Sequence, residues 1–298
     1  MATVKAGTKF PTALVTELYN KVKGHSSVAK MIPSEPLPFN GITEFTFSMD
    51  NKISVVGESG SKPAGGAKAE PVVVRPIKVV YQSRVSDEFL IASEEAKLNY
   101  LKAFSEGFAK MLAEGMDEMI LHGVNPASGE AASAVIGNNH LDYVIANYAS
   151  GANVITYLHD STAPDVNVDE AIAKLDNPNG VILGKTIRTA IAALNISGAQ
   201  KYPEFTWGRT PDSLGGMVLD SNKSVEVNGA NARAYVGNWN ALKWGFAKEM
   251  PLKVIEYGNP DGAGDLQQSN EVVLRSEAYI GWGILDEAAF AMVAASGE

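Results

Sequence analysis

Cysteine is absent from the 298 residues. That excludes disulfides, thiol nucleophiles and cysteine metal sites together. Histidine is scarce, and His25, His122, His140 and His159 stand far apart without paired spacing, so the sequence offers no zinc site. Asp160, Asp165 and Asp169 share an acidic stretch, but not at the spacing of a calcium loop. No apolar run is long enough to cross a membrane. No signal-peptide core follows Met1, so export is not expected. A Gly-x-Ser-x-Gly nucleophile elbow does not occur. Gly180-Val-Ile-Leu-Gly184-Lys185-Thr186 has three residues between its glycines, where a phosphate-binding loop needs four. A shorter loop cannot wrap phosphates, and Gly184 reads as a turn from strand to helix. No catalytic constellation, cofactor site or metal site is expected.

Positive charge is also short. The net charge is −9, so wholesale coating of nucleic acid is not expected. The balance is uneven. Residues 1 to 30 hold five lysines against one glutamate, or +4, which leaves −13 on the rest. Such an arm suits an acidic neighbour, a nucleic acid, or plain solvent.

What is present is globular in character. Apolar residues make up 45% of the chain. The length allows one large domain or two moderate ones. The chain is organised around Ser93 to His122, which no proline interrupts. Leu98, Leu101, Phe108, Leu112, Met119 and Ile120 recur at helical spacing. Lys102, Glu106, Lys110 and Glu114 alternate in sign at four-residue steps on the other face. Ser93 is placed to cap the start, and Gly123 and Pro126 to end it. The predicted helix is about 45 Å long at 1.5 Å per residue. Its length and partial apolar stripe suit a strut across a thin, extended molecule.

The other segments are read in chain order. Pro11 to Lys23 predicts a short amphipathic helix with Leu14, Val15, Leu18, Tyr19 and Val22 on one face, and Gly24 ends it. Pro33, Pro36 and Pro38 hold the chain extended. Thr43 to Met49 alternates as a strand, with Phe45, Phe47 and Met49 on one side, and Ile53 to Val56 continues it. A glycine-rich stretch, 57 to 71, follows, and Val72 to Val85 returns as a β-branched strand. This is a long two-stranded hairpin, which is marginal in water unless it lies on something. A short helical segment near Asp87 precedes the strut. Residues 124 to 163 show few periodic runs. Helices at Val168–Leu175 and Lys185–Leu194, and strands at Val181–Gly184, Leu214–Val218 and Ala232–Val236, make a compact α/β unit. Strands at Ala241–Phe246, Leu252–Glu256, Glu271–Ile280 and Ala288–Val293 follow.

This order, α+β in class, resembles the major capsid proteins of tailed bacteriophages, the Hong Kong 97-like fold. The residues that carry the resemblance are Val55-Val-Gly-Glu-Ser-Gly-Ser-Lys-Pro63, Val85-Ser-Asp-Glu-Phe-Leu90 and Asp117-Glu-Met-Ile-Leu-His-Gly123. Leu214-Gly-Gly-Met-Val218, Ala234-Tyr-Val-Gly-Asn-Trp239, Glu271-Val-Val-Leu-Arg-Ser-Glu277 and Ala288-Ala-Phe-Ala291 continue it. Each motif is weak alone; their order spans nearly the whole chain. The resemblance implies an N-terminal arm (1–40), an extended hairpin loop (41–85), a peripheral domain with a spine helix (86–130) and an axial domain (131–237). It implies that residues 238–298 supply peripheral strands and return to the axial domain. It further implies a homo-oligomer of hexamers and pentamers, an icosahedral head around double-stranded DNA, and residence in the virion after assembly in the host cytoplasm. A portal, with separate scaffolding or decoration proteins, would be its partners, and no membrane. The fold begins almost at Met1, so scaffolding is expected from a separate protein or not at all.

Some members of the family weld their shells by an isopeptide bond. The matching places are Lys62 at the hairpin tip, Asn270 as the acceptor and Glu277 as the proton acceptor. The residues read equally as a surface turn at Lys62-Pro63 and a Glu277 paired with Arg275 or a neighbour's lysine. Two other readings stand beside the capsid: an encapsulin-like shell around an enzyme cargo, and a soluble α/β enzyme with its site in residues 160 to 240.

Overall fold

The computed structural model describes residues 25–49, 53–62, 64–157, 163–227, 229–248 and 252–296. The helix expected over Pro11–Lys23 lies outside that set, as do His159 and Asp160.

The described chain opens with α1 (Ser27–Met31), capped by the Ser26 hydroxyl, which accepts from the Ala29 amide. Residues 33–38 run extended, as their prolines require. They pack on the body of their own chain. The Glu35 and Leu37 amides donate to the carbonyls of Trp244 and Phe246 at 2.9 and 3.2 Å. The Trp244 indole donates to the Ile32 carbonyl at 3.0 Å. Gly245 makes this contact possible, since a Cβ there would lie 1.7 Å from the Glu35 carbonyl oxygen.

Next come β1 (Ile42–Met49) and β2 (Ala67–Val74), antiparallel in register from Ile42 opposite Val74 to Met49 opposite Ala67. Ile53 to Val56 is not strand; the ladder stops at Met49. The single strand expected over Val72 to Val85 is two. Pro76 lacks an amide hydrogen and fixes φ, so the ladder breaks at Arg75–Pro76 and β3 (Ile77–Ser86) joins a different sheet.

After α2 (Glu88–Ile91) comes the strut, α3 (Glu94–His122). The Ser93 hydroxyl accepts from Ala96 at 3.3 Å, and Gly123 closes the helix at φ +68. A Cβ on Gly123 would meet the His140 ring at 2.4 Å, so conformation and space both select glycine. Residues 124 to 163 are more regular than expected, holding α4 (Leu141–Asn147) and β4 (Val154–Tyr157). Then follow α5 (Pro164–Ala173), β5 (Gly180–Leu183) and α6 (Lys185–Ala192), with Gly184 turning strand into helix. Short strands β6 (Asn195–Ile196), β7 (Ala199–Gln200) and β8 (Ser213–Leu214) lead to β9 (Met217–Ser221) and β10 (Ala232–Gly237). The chain ends with β11 (Leu242–Lys248), β12 (Leu252–Ile255), α7 (Leu266–Ser269), β13 (Glu271–Ile284) and β14 (Phe290–Ala295).

Two sheets organise the body. A mixed six-stranded sheet has the order β4-β14-β10-β5-β9-β8. Alternate residues of its central strands feed opposite cores. Ile182, Tyr235 and Phe290 face the core under α3 and α4, while Val181, Leu183, Val236 and Val293 face the core under α5 and α6. A sheet buried on both faces needs unbroken apolar strands, and these strands have them. In the other sheet β13 is central, paired with β3 over Glu271–Ile280, and with β12 and β11. The Arg84 guanidinium fastens that sheet's turn, donating from Nε and Nη2 to both oxygens of Asp261 at 2.7 and 2.5 Å and from Nη1 to Glu271 at 2.8 Å.

Candidate assembly surface

The ribbon of β1 and β2 is anchored at its root. Val74 is buried, and Lys243 on β11 reaches Glu44 at 3.0 Å and Glu35 at 3.6 Å. Away from the root, apolar side chains lack cover. Phe45 on β1 is 61% exposed and Val73 on β2 is 46% exposed. At the tip Ile53 and Val55 are wholly exposed, and all described residues from 53 to 62 lie in solvent. Strand alternation gave Phe45 a face to bury; among the described residues nothing covers it.

A second apolar surface lies between β3 and α3. It is a groove of about 510 Å³ whose floor includes Ile77, Tyr81, Phe108 and Met119. Met111 and Val135 stand 56% and 65% exposed at its edge, and Glu114 and Glu118 supply carboxylates there. Glu114 also pairs with Lys223 at 3.0 Å.

The three crosslinking candidates fall at separate places. Lys62 is on the exposed tip. Asn270 follows α7 in a left-handed conformation, φ +53, and its carbonyl accepts from the Asp87 amide at 2.9 Å. Glu277 lies well inside β13, seven residues and about 23 Å of strand beyond Asn270. One chain therefore does not bring Asn270 and Glu277 together. Glu277 is buried and pairs with Lys78 at 3.0 Å and Lys253 at 3.8 Å, both from its own chain, instead of with Arg275. Arg275 instead donates to Gln82 at 2.9 Å and to the Pro260 carbonyl. Burial works to raise the Glu277 pKa, but the Lys78 hydrogen bond and the Lys253 charge outweigh it and hold the carboxyl below its usual value.

Two buried polar networks secure the body from which the ribbon projects. Asp117, on α3, has no exposure and accepts from the Ser26 hydroxyl at 2.5 Å, the Ser27 and Val28 amides at 2.8 and 3.2 Å, and the Asn222 side chain at 2.8 Å. Burial pushes its pKa up to about 7 against the pull of those donors. The Ser27 hydroxyl donates to Asp220, which Lys30 also reaches at 3.1 Å. Arm and strut are thus joined by a carboxylate that the sequence offered no pattern to single out. Its donors lie about 90 residues upstream, at Ser26 to Val28, and 105 residues downstream, at Asn222. In the second network His122 Nδ1 contacts Asp142 at 2.7 Å and Nε2 contacts the Ser224 carbonyl at 2.8 Å. The Tyr235 hydroxyl donates to the other Asp142 oxygen. Burial lowers the His122 pKa, but the Asp142 hydrogen bond and charge and the Ser224 carbonyl raise it more, leaving it above its usual value. Both ring nitrogens face acceptors, as an imidazolium requires. Among the described residues no group of histidines and carboxylates is placed to hold a metal.

No described protein family matches the sequence, and no curated protein sequence does. Solved structures match over nearly the whole chain. A structure from Mycobacterium phage Ogopogo is 26% identical, with a TM-score of 0.75, covering 99% of this chain and 94% of that one. One from Gordonia phage Cozz is 22% identical, with a TM-score of 0.68 and coverage of 100% and 90%. The capsid of an empty GTA particle, computed with C5 symmetry, is 11% identical, with a TM-score of 0.64 and coverage of 92% and 90%.

Proposed function

We propose that this chain, which carries the Hong Kong 97-like fold of phage capsid proteins, self-assembles as hexamers and pentamers into an icosahedral head enclosing double-stranded DNA. The observation that carries the reading is the ribbon. Phe45, Ile53 and Val55 are exposed by 61% or more on a molecule that buries its body core on both sides of a sheet. Among the described residues nothing covers them, and a neighbouring copy can. The neighbour's groove between β3 and α3 is apolar and rimmed by Glu114 and Glu118, and the tip carries Lys62 and Lys68. Interfaces of this permanent kind bury roughly 2,000–5,000 Å², which a wrapping ribbon can reach.

In this reading the six-stranded sheet and its helices form the axial domain, and α3 with the β13 sheet forms the peripheral one. The protein is a structural component of the virion, assembled in the host cytoplasm. A portal, and separate scaffolding or decoration proteins, complete the particle. The acidic body, with a net charge of −9, suits a container that holds DNA without gripping it, since tight phosphate binding needs clustered Lys and Arg.

A weld would join Lys62 Nζ of one copy to Asn270 Cγ of another, releasing ammonia while Glu277 of a neighbouring copy takes the amine proton. The ion pairs of Glu277 make it a weak proton acceptor, so boiled shells should run in detergent as one band of single-subunit mass, 31.6 kDa. A ladder of multiples would instead assign Lys62, Asn270 and Glu277 to a crosslink.

Electron microscopy of the expressed protein tests the whole reading. Closed shells or capsomer rings are expected. A compact single copy at high concentration, with residues 53–62 protected from protease, would overturn it.

A further inference from the structure

Trp207 is the one tryptophan of four that the fold does not bury. Trp239, Trp244 and Trp282 are 0%, 3% and 1% exposed, while Trp207 is fully exposed. Its backbone lies at φ +55, ψ +34, a region that strains a residue with a side chain. The strain is held in place from both sides. Phe205, two residues before, is 1% exposed in the core under α6. The Arg188 guanidinium on α6 donates to the Phe205 carbonyl at 2.9 Å and to the Arg209 carbonyl at 2.5 Å, straddling Trp207. The Thr206 hydroxyl closes the turn on the Pro203 carbonyl at 2.7 Å. A turn pinned this firmly, with the largest apolar side chain at its apex in solvent, is a device for presenting that side chain. Nearby in the chain, Ile196 in β6 is 56% exposed.

We propose that Trp207 is a docking residue for a second copy of this chain within the capsomer ring, an inference that rests on the capsid reading. The charges select the occupant. Glu204 precedes and Arg209 follows Trp207 in the chain, so each copy offers both signs on one loop. In a head-to-tail ring the Glu204 side of one copy meets the Arg209 side of the next, and the contact repeats until the ring closes. A partner of a single charge sign would meet one of these residues unfavourably. Tryptophan is enriched among the residues that dominate interfaces, because it buries a large rigid area at low entropic cost.

The test uses the full chain. With three of four tryptophans buried, the acrylamide-quenchable emission of unassembled protein belongs to Trp207. In rings or shells that component should shift to shorter wavelength and lose its quenching. Trp207→Gly relieves the backbone strain, so its subunit should melt no lower than wild type, yet assembly should weaken about thirtyfold, the scale of a truncated interface anchor. Trp207→Phe should restore most of it. Wild-type shells in which Trp207 stays quenchable, or Trp207→Gly protein that assembles as wild type does, overturn the inference and leave the capsid reading standing. Wild-type protein that forms neither rings nor shells overturns both.

Discussion

Asp117 concentrates four donors on one buried carboxylate: two amides, a hydroxyl and a side-chain amide. Asp117→Asn presents an amide group to some of those donors and leaves them unpaired. A buried donor without its acceptor costs about 1–3 kcal/mol, so the urea midpoint of unassembled subunits should fall accordingly. The effect has a pH signature. Burial raises the Asp117 pKa from 3.8 to about 7 in the folded chain. The folded state then holds the proton more tightly than the unfolded one. The stability linked to this group is fully present below pH 3.8 and is lost as the pH rises through 7. The gap between wild type and Asp117→Asn should therefore be wider at pH 5 than at pH 8. Equal gaps at the two pH values would mean that the carboxyl titrates normally. Lys30 and Asp220 pair at the same junction.

Elements were legible where their determinants are local. The strut announces itself through an unbroken apolar stripe, the Ser93 cap and the Gly123 stop, and the structure places α3 between those two residues. Ser93→Ala should cost about 1 kcal/mol by removing the cap bond to Ala96. α4 and β4 were not legible, because Ala- and Asn-rich segments acquire their structure from what they pack on. Leu141 and Ile145 are buried beneath the six-stranded sheet, and β4 exists by pairing with β14, more than 130 residues away. The β2–β3 break was written in Pro76, but β-branched residues on both sides masked it. The arm was read as extended from its prolines, while its partner was hidden in one glycine of β11. Gly245→Ala would place a Cβ 1.7 Å from the Glu35 carbonyl oxygen. The arm must then leave its bonds to Trp244 and Phe246, and the Glu35 and Leu37 amides should lose their resistance to hydrogen exchange in folded protein. An arm that stays resistant would show that β11 can shift to admit the methyl.

At the scale of the whole molecule, the ribbon alternates as any half-buried strand does, and only the fold reveals that, among its described residues, burial is confined to the root at Val74 while Phe45 and Val73 stay exposed. The sequence pattern therefore predicted a hairpin, with strands that run past Met49 and Pro76 where the ladder does not, and its incompleteness only by argument: a two-stranded ribbon without a third layer is marginal in water. The crosslinking candidates show the converse limit. Lys62, Asn270 and Glu277 stand where the resemblance implies a crosslink, yet seven residues of strand place Asn270 and Glu277 about 23 Å apart, a distance only neighbouring copies could close. If Ile53 and Val55 enter a neighbour's groove, each side chain contributes about 1.5–3 kcal/mol per contact when fully buried. Replacing both with aspartate removes that gain and sets two new carboxylates against Glu114 and Glu118. Because both residues are fully exposed in one copy, the subunit's melting temperature should not change. Light scattering of the double variant should show the critical concentration for assembly rising by a factor of a hundred or more, on the order of 3 kcal/mol. Added salt should recover part of the loss by screening the repulsion. Assembly at the wild-type concentration would mean that the tip lies outside the contacts, and the incompleteness of the single chain would then have to be relieved at Phe45 and Val73 alone.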